Sequence, residues 1–290
     1  MLYLRLDLLF NVDKVLSEDK DLSSGVRGIW GRALKSLFCS TGAADCEGCK
    51  VENCGYAVLF ESREAGTDQY RPYVIQARFV PPSHIYTRFK FFGWVNDHYE
   101  MLIRSILSLD GKEVRVAGRS CGLSLMQISD TRKNLIYERG ASRISVPKMR
   151  RLAYKPEEVS ELELKFITPL RQKSGGKLSR SFQWEPFAKS LIGRVRYVNQ
   201  HYNQGGLPIP QMIDIEGVKV SQEETFWSEK IRKSLRQNSK MSLGGLLGTI
   251  TLSGVSPEMV AILKLGQYLH AGKQCSFGNG EYRVKKCQVL

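Results

Sequence analysis

The sequence contains no run of about 18 consecutive apolar residues, the minimum a helix needs to cross a bilayer. Met1 leads straight into an alternating pattern rather than a charged region followed by an apolar one, so no signal peptide is expected. The expectation is a cytoplasmic protein with no membrane partner. Acids are scarce: 29 Asp and Glu stand against 43 Lys and Arg, a formal charge of +14 over 290 residues. Such an excess attracts a polyanion by releasing its condensed counterions, and nucleic acid is the first choice. Histidine is scarce too, with only His84, His98, His201 and His270 available to titrate near neutral pH. Global disorder is excluded, because a 42 % hydrophobic fraction with 12 Phe, 12 Tyr and 4 Trp supplies a core.

The positive charge is clustered. Residues 165–200 carry eight Lys and Arg against the single acid Glu185, and residues 130–155 carry eight against Asp130 and Glu138. No segment joins these charges to a broad apolar face, which sets anionic membranes aside.

Leu2, Leu4, Leu6, Leu8 and Phe10 alternate with Tyr3, Arg5 and Asp7, the period of a half-buried strand. From Ser24, the residues Val26, Ile29, Trp30, Ala33, Leu34 and Leu37 recur at helical spacing. Strands are expected at 73–80, 85–95 and 124–128, with a helix over 97–109. Pro156, Glu157 and Glu158 break the pattern, and the domain boundary is placed there, giving domains 1–155 and 156–290. A similar series then runs through a strand at 161–169, a helix at 183–202, strands at 213–220, 225–230 and 246–252, a helix at 257–269 opened by Pro257, and a final strand at 281–286. On the second domain's first helix, Arg194 and His201 lie along one flank of the apolar stripe. Two β-α-β-β-α-β series imply an α+β protein of two tandem ferredoxin-like, RNA-recognition-like domains.

The segment from Leu265 to Val284 is the most specific. Within it Gly272, Gly278 and Gly280 permit positive φ and a close approach of backbone N–H groups to phosphate, and Lys273 supplies charge. It is not a P-loop: the spacing from Gly266 to Lys273 is too long, and Gln274 stands where a magnesium-binding hydroxyl would be.

This segment resembles the C-terminal signature of the CRISPR-associated endoribonucleases that process repeat RNA, members of the RAMP superfamily. Arg27-Gly28-Ile29-Trp30-Gly31-Arg32-Ala33-Leu34, the cysteine cluster through Tyr56 to Phe60, Thr168-Pro169-Leu170-Arg171, Gly193-Arg194-Val195-Arg196 and 244–252 follow in the order that family shows. The resemblance implies binding of a CRISPR repeat transcript and one cut per repeat, without a catalytic metal, by attack of a ribose 2′-hydroxyl on the adjacent phosphate. It equally admits a non-catalytic RAMP subunit that binds guide RNA beside other subunits of a CRISPR effector complex. Outside the family, a zinc-stabilised RNA-binding protein fits the same composition.

A histidine base suits such chemistry near pH 7. His270, just before Gly272-Lys273, is the first candidate, although helical extrapolation puts it on the face of Met259 and Leu263, where a structural role is equally expected. His201 is second. Arg27 and Arg32 could stabilise transition-state charge, or bind phosphate, as could Lys35. The expected RNA contacts are Lys273, Gly272, Ser276, Gly278, Gly280, Arg194, Arg196, Arg171 and Lys173. Cys39, Cys46, Cys49 and Cys54 place four thiols within sixteen residues, a count suited to a structural zinc in an insertion at 39–54; reduced thiols or an iron–sulfur centre are the alternatives. Cys121, Cys275 and Cys287 read as buried small hydrophobes.

Overall fold

A computed structural model describes residues 1–14, 22–42, 46, 49, 51, 54–60, 70–116, 119–229, 231–234, 239–242 and 244–288. The chain divides into two compact units, Leu2–Arg150 and Arg151–Leu290, the latter including Met1. Among the described residues, no helix is long and apolar enough to cross a membrane.

The first unit runs through β1 (Leu2–Val12), α1 (Ser23–Phe38), α2 (Gly55–Phe60), β2 (Tyr73–Val80), β3 (His84–Phe92), α3 (Tyr99–Leu107), β4 (Glu113–Val116), β5 (Arg119–Ser129) and β6 (Leu135–Glu138), and ends in β7 (Arg150–Arg151) at the junction. Its sheet order is β2-β3-β1-β5-β4, with β6 beside β5. The alternation in β1 has the expected cause from Leu4 onward: Leu4, Leu6, Leu8 and Phe10 are buried while Arg5 and Asp7 are half-exposed; at the start of the strand Tyr3 is buried and Leu2 is not, against the expected pattern. Trp30 of α1 is fully buried, packs edge-on against Tyr73 (5.0 Å between centroids) and Phe89 (5.4 Å), and donates Nε1–H to Ser105 Oγ at 2.8 Å. Leu37, expected on the same stripe, lies outward and is 49 % exposed, because the buried stripe of α1 ends at Leu34. Gly31 gives space to Phe60 of α2: a Cβ there would stand 2.2 Å from the end of the ring, which would have to shift.

The second unit contains β8 (Glu161–Leu170), the hairpin β9 (Lys173–Ser174) and β10 (Lys177–Leu178), α4 (Trp184–Tyr202), β11 (Lys219–Ser228), the hairpin β12 (Ile231–Ser234) and β13 (Ser239–Ser242), β14 (Gly245–Ser253), α5 (Pro257–Leu269) and β15 (Tyr282–Gln288). The main sheet has the order β11-β14-β8-β15, antiparallel throughout. Leu162, Leu164 and Phe166 of β8 face the core with Phe187 and Tyr282, and Tyr282 donates its hydroxyl to the Leu263 carbonyl at 2.7 Å. The two strands expected at 213–220 and 225–230 are one strand, β11: its antiparallel partner β14, one residue shorter, pairs it from Lys219 to Ser228 across a bulge between Val220 and Gln222. Residues 213–218 are loop.

Candidate nucleic-acid interface

The glycine-rich segment is a loop tied down at both ends. Helix α5 stops at Leu269 because His270 takes φ +66°, and Ala271 N–H then donates to Gly280 O at 2.9 Å. Gly280 N–H donates to Pro169 O at 3.0 Å, and Lys273 N–H to Arg171 O at 2.8 Å, so the loop is laid along the end of β8. Thr168 joins both: its hydroxyl donates to Gly278 O at 2.7 Å and accepts from Glu281 N–H at 2.8 Å. At Gly280 (φ +71°) a Cβ would stand 1.8 Å from Ala271 O, and at Gly272 (φ +77°) 2.5 Å from Arg171 O.

These contacts revise the role expected of the glycines. The amides of Gly278 and Gly280 donate inside the protein, to Cys275 O and Pro169 O, rather than toward a phosphate. Their residues are buried, whereas Gly272, Lys273, Gln274, Ser276 and Phe277 form the half-exposed rim. The outward part of the loop is therefore its 272–277 edge, with Lys273 as its cation. Thr168 and Asn279, which hold the loop, were not singled out from the sequence; the Thr168-Pro169-Leu170-Arg171 and Gly278-Asn279-Gly280 runs were their only trace.

Two expected RNA contacts are interior. Arg194 is 3 % exposed and donates Nε–H to the Leu269 carbonyl at 2.6 Å, neutralising one of the unpaired carbonyls at the C-terminus of α5. Arg171 is buried and donates from Nη1 to Gly244 O at 2.5 Å; burial pushes its pKa down, against the pull of Glu229. Arg196 is half-buried, with Nη2 donating to Pro210 O at 2.7 Å and Gln211 O at 2.6 Å, and so secures the 203–218 loop. Lys173, in the β9–β10 hairpin, is exposed. Helical phase alone could not separate a cation pointing outward from one capping a neighbouring helix.

The histidines divide in the same way. His270 is 0 % exposed, and its Nδ1 lies 3.0 Å from Asn279 O. A carbonyl only accepts, so Nδ1 carries the proton, and the ring is a strut between helix and loop. An imidazole without solvent-accessible surface does not meet a ribose hydroxyl, so the first-choice base is not available in this conformation. His201 is exposed, stacks on Tyr197 with centroids 4.0 Å apart and donates from Nδ1 to Tyr197 O at 2.9 Å, which makes Nε2 the basic nitrogen of the neutral ring. Arg194 and His201 thus do not share a surface.

In the first unit, Arg27 is half-buried, its guanidinium carbon 4.2 Å from the Phe60 centroid and its Nε donating to the Tyr73 hydroxyl at 3.0 Å. Arg32 is exposed. Cys39 and Cys49 flank the Thr41 hydroxyl at 3.6 and 4.0 Å, while Cys54 Sγ lies 3.9 Å from Phe38 O. The Thr41 hydroxyl, followed by backbone amides, draws the Cys39 pKa down. Among the described residues, no three His, Cys, Asp or Glu side chains gather as a metal site. Cys121 and Cys275 are buried as expected; the side chain of Cys287 lies outside the described residues.

Two family models match the chain: AF_1859_N, an N-terminal domain, over residues 1–165, and the CRISPR-associated endoribonuclease Cas6 over residues 164–282. An uncharacterized protein of Archaeoglobus fulgidus is 25 % identical, the match covering 91 % of each chain. Among solved structures, a Cas6 product complex is similar with a TM-score of 0.63 at 12 % identity, covering 98 % of this chain and 100 % of that one. The same Cas6, from Thermus thermophilus, gives 0.57 at 12 % identity, covering 98 % of both chains. At such identities the structural likeness establishes the fold. The AF_1859_N model covers more than half of the chain and the Cas6 model the part that follows, so the chain has an N-terminal domain of the AF_1859_N type followed by a region that matches the CRISPR-associated endoribonuclease Cas6.

Proposed function

We propose that this protein, built as two tandem ferredoxin-like domains, binds CRISPR repeat RNA and cuts the precursor transcript once per repeat without a catalytic metal. The observation that carries the reading is the glycine-rich loop, locked along β8 by the Gly280 and Lys273 amides with the Lys273 side chain on its half-exposed rim. The solved product complex among its structural relatives supports it.

In the proposed reaction the 2′-oxygen bonds to the scissile phosphorus as the bond to the 5′-oxygen breaks. The 2′-hydroxyl proton passes to a base and the leaving 5′-oxygen gains one from an acid, giving a 2′,3′-cyclic phosphate and a 5′-hydroxyl. His201 is the proposed base, as the exposed imidazole of the second unit; Arg27 and Arg32 are proposed for phosphate charge, and Ser276 and Lys173 for RNA contact. Zinc at Cys39, Cys46, Cys49 and Cys54 is proposed from thiol count and spacing.

The test is incubation of the purified protein with a stem-loop repeat RNA in EDTA. A single cut with a cyclic-phosphate end is expected, abolished by a 2′-deoxy nucleotide at the cut and reduced about 10²–10⁴-fold by His201→Ala. Tight binding with no cut would favour the second reading, a guide-RNA-binding subunit of an effector complex, which the complete burial of His270 supports.

A further inference from the structure

The sheet of the first unit turns one face to its helices; on the other, Tyr3, Lys90 and Phe92 are buried while the part around Asp7, Leu9, Arg78, Tyr86 and Arg88 reaches solvent. Pairing register sets two rows of side chains across that part: Arg78, Tyr86, Leu9 and Gln127 in one, Gln76, Arg88, Asp7 and Ser129 in the next. Between them opens a hollow of about 420 Å³, whose charged and aromatic groups are Arg5, Asp7, Arg78, Tyr86, Arg88 and Lys133. Four cations there face one carboxylate.

That carboxylate organises two of them. Arg88 Nε donates to Asp7 Oδ1 at 2.7 Å, and Arg5 Nε lies 3.1 Å from Oδ2. Arg88 Nη2 also donates to the Tyr86 hydroxyl at 2.6 Å, and the Arg78 and Arg88 guanidinium carbons lie 5.2 and 5.5 Å from the Tyr86 centroid. The phenol ring is thus held in place before any ligand arrives. Arg78 and Lys133 are exposed and, among the described residues, have no acidic partner.

We infer that this hollow binds single-stranded RNA, with a base against Tyr86 and backbone phosphates on Arg78 and Lys133. A pinned aromatic ring between cations is a platform for a base that has left its stack, and only a single strand offers one. Arg78 sits on β2 and Lys133 beyond the end of β5, and β3 and β1 lie between those strands, which at about 4.8 Å per strand are on the order of 14 Å apart. That separation suits two different phosphates of one chain. The assignment rests on the RNA-processing reading and adds to it a contact outside the glycine-rich loop.

The test uses the full chain and two labelled probes, an unstructured octauridylate and a repeat hairpin trimmed of single-stranded flanks. In the Arg78→Ala/Lys133→Ala variant, whose two changes are on exposed side chains, octamer affinity should fall at least tenfold. The slope of log affinity against log salt should shrink by about 0.7 for each of the two phosphate contacts. Tyr86→Leu should weaken the octamer about tenfold as well, and hairpin affinity should stay within twofold of wild type in both. Failure of the wild type to bind the octamer, or an unchanged affinity and slope in the double variant, would overturn the inference. A protein that neither binds nor cuts any repeat hairpin, yet loses octamer binding in the double variant, would sink the RNA-processing reading and leave the hollow's assignment standing.

Discussion

The Nδ1 atom of His270 donates a hydrogen bond to the carbonyl oxygen of Asn279, 3.0 Å away inside the protein. The bond spans the whole glycine-rich loop, from the last turn of α5 to the residue before Gly280. A side chain that looked catalytic by its position in the chain is thereby a brace for the surface on which RNA is proposed to lie.

Removing that brace should cost stability before it costs chemistry. His270→Ala leaves the Asn279 carbonyl without its donor and opens a void, a loss of about 1–3 kcal/mol in urea unfolding. At a temperature where the variant is folded, cleavage should stay within about tenfold of wild type. A folded variant with a loss beyond about 10² would return the imidazole to the reaction.

Gly280→Ala should be more severe. The new Cβ would stand 1.8 Å from the Ala271 carbonyl oxygen at a φ of +71°, so either the loop leaves β8 or the backbone is strained. We expect a destabilisation of about 3 kcal/mol or more and loss of hairpin binding together, read by thermal melting and anisotropy. An alanine at exposed Gly175 in the β9–β10 hairpin, with nothing within 4 Å of its Cβ, is the control for positive φ alone.

Asp130 gives a prediction in pH. Its carboxylate accepts from the Lys148 amide at 2.7 Å, the Arg132 and Asn134 amides at 2.8 and 2.9 Å, and Asn134 Nδ2 at 3.1 Å. Burial raises its pKa, but these donors together hold it below the ordinary carboxylate value. A depressed folded-state pKa means the stabilisation is complete above the unfolded value, about 3.9, and is lost as pH falls through the folded one. Asp130→Asn sets an NH₂ against two donors and should cost about 2 kcal/mol at pH 7, narrowing below pH 4. Chemical denaturation from pH 7 to pH 2 reads the difference; a gap constant with pH would contradict the assignment. This turn also carries Lys133, whose amide donates to Asp130 O at 2.9 Å.

Elemental analysis of protein prepared without added metal should find about one zinc per chain if Cys39, Cys46, Cys49 and Cys54 form the proposed site. Metal-free protein in which all four thiols react with a thiol reagent in the native state would remove zinc from the account.

Local periodicity reached far into this fold. The alternation of β1, the strand at Tyr73–Val80, the helix from Pro257 to Leu269 and the β-α-β-β-α-β order of both units are written in spacing, because each element buries one face. The merging of two expected strands into β11 was not, since strand length there is set by the pairing partner β14 rather than by residues 213–230.

The sites divide along the same line. Charge, the cationic segments and the glycine-rich loop are properties of residue type and order, so the sequence alone determined that the protein is basic and carries such a loop. Which cations face outward is decided by tertiary contacts: Arg194 turns inward because the α5 terminus offers an unpaired carbonyl, and Arg171 because Gly244 does. The hollow around Tyr86 likewise exists only through register, which brings Asp7, Arg88 and Arg78 from three strands to one face and joins Asp7 to Arg88, 81 residues apart in the chain, by two hydrogen bonds.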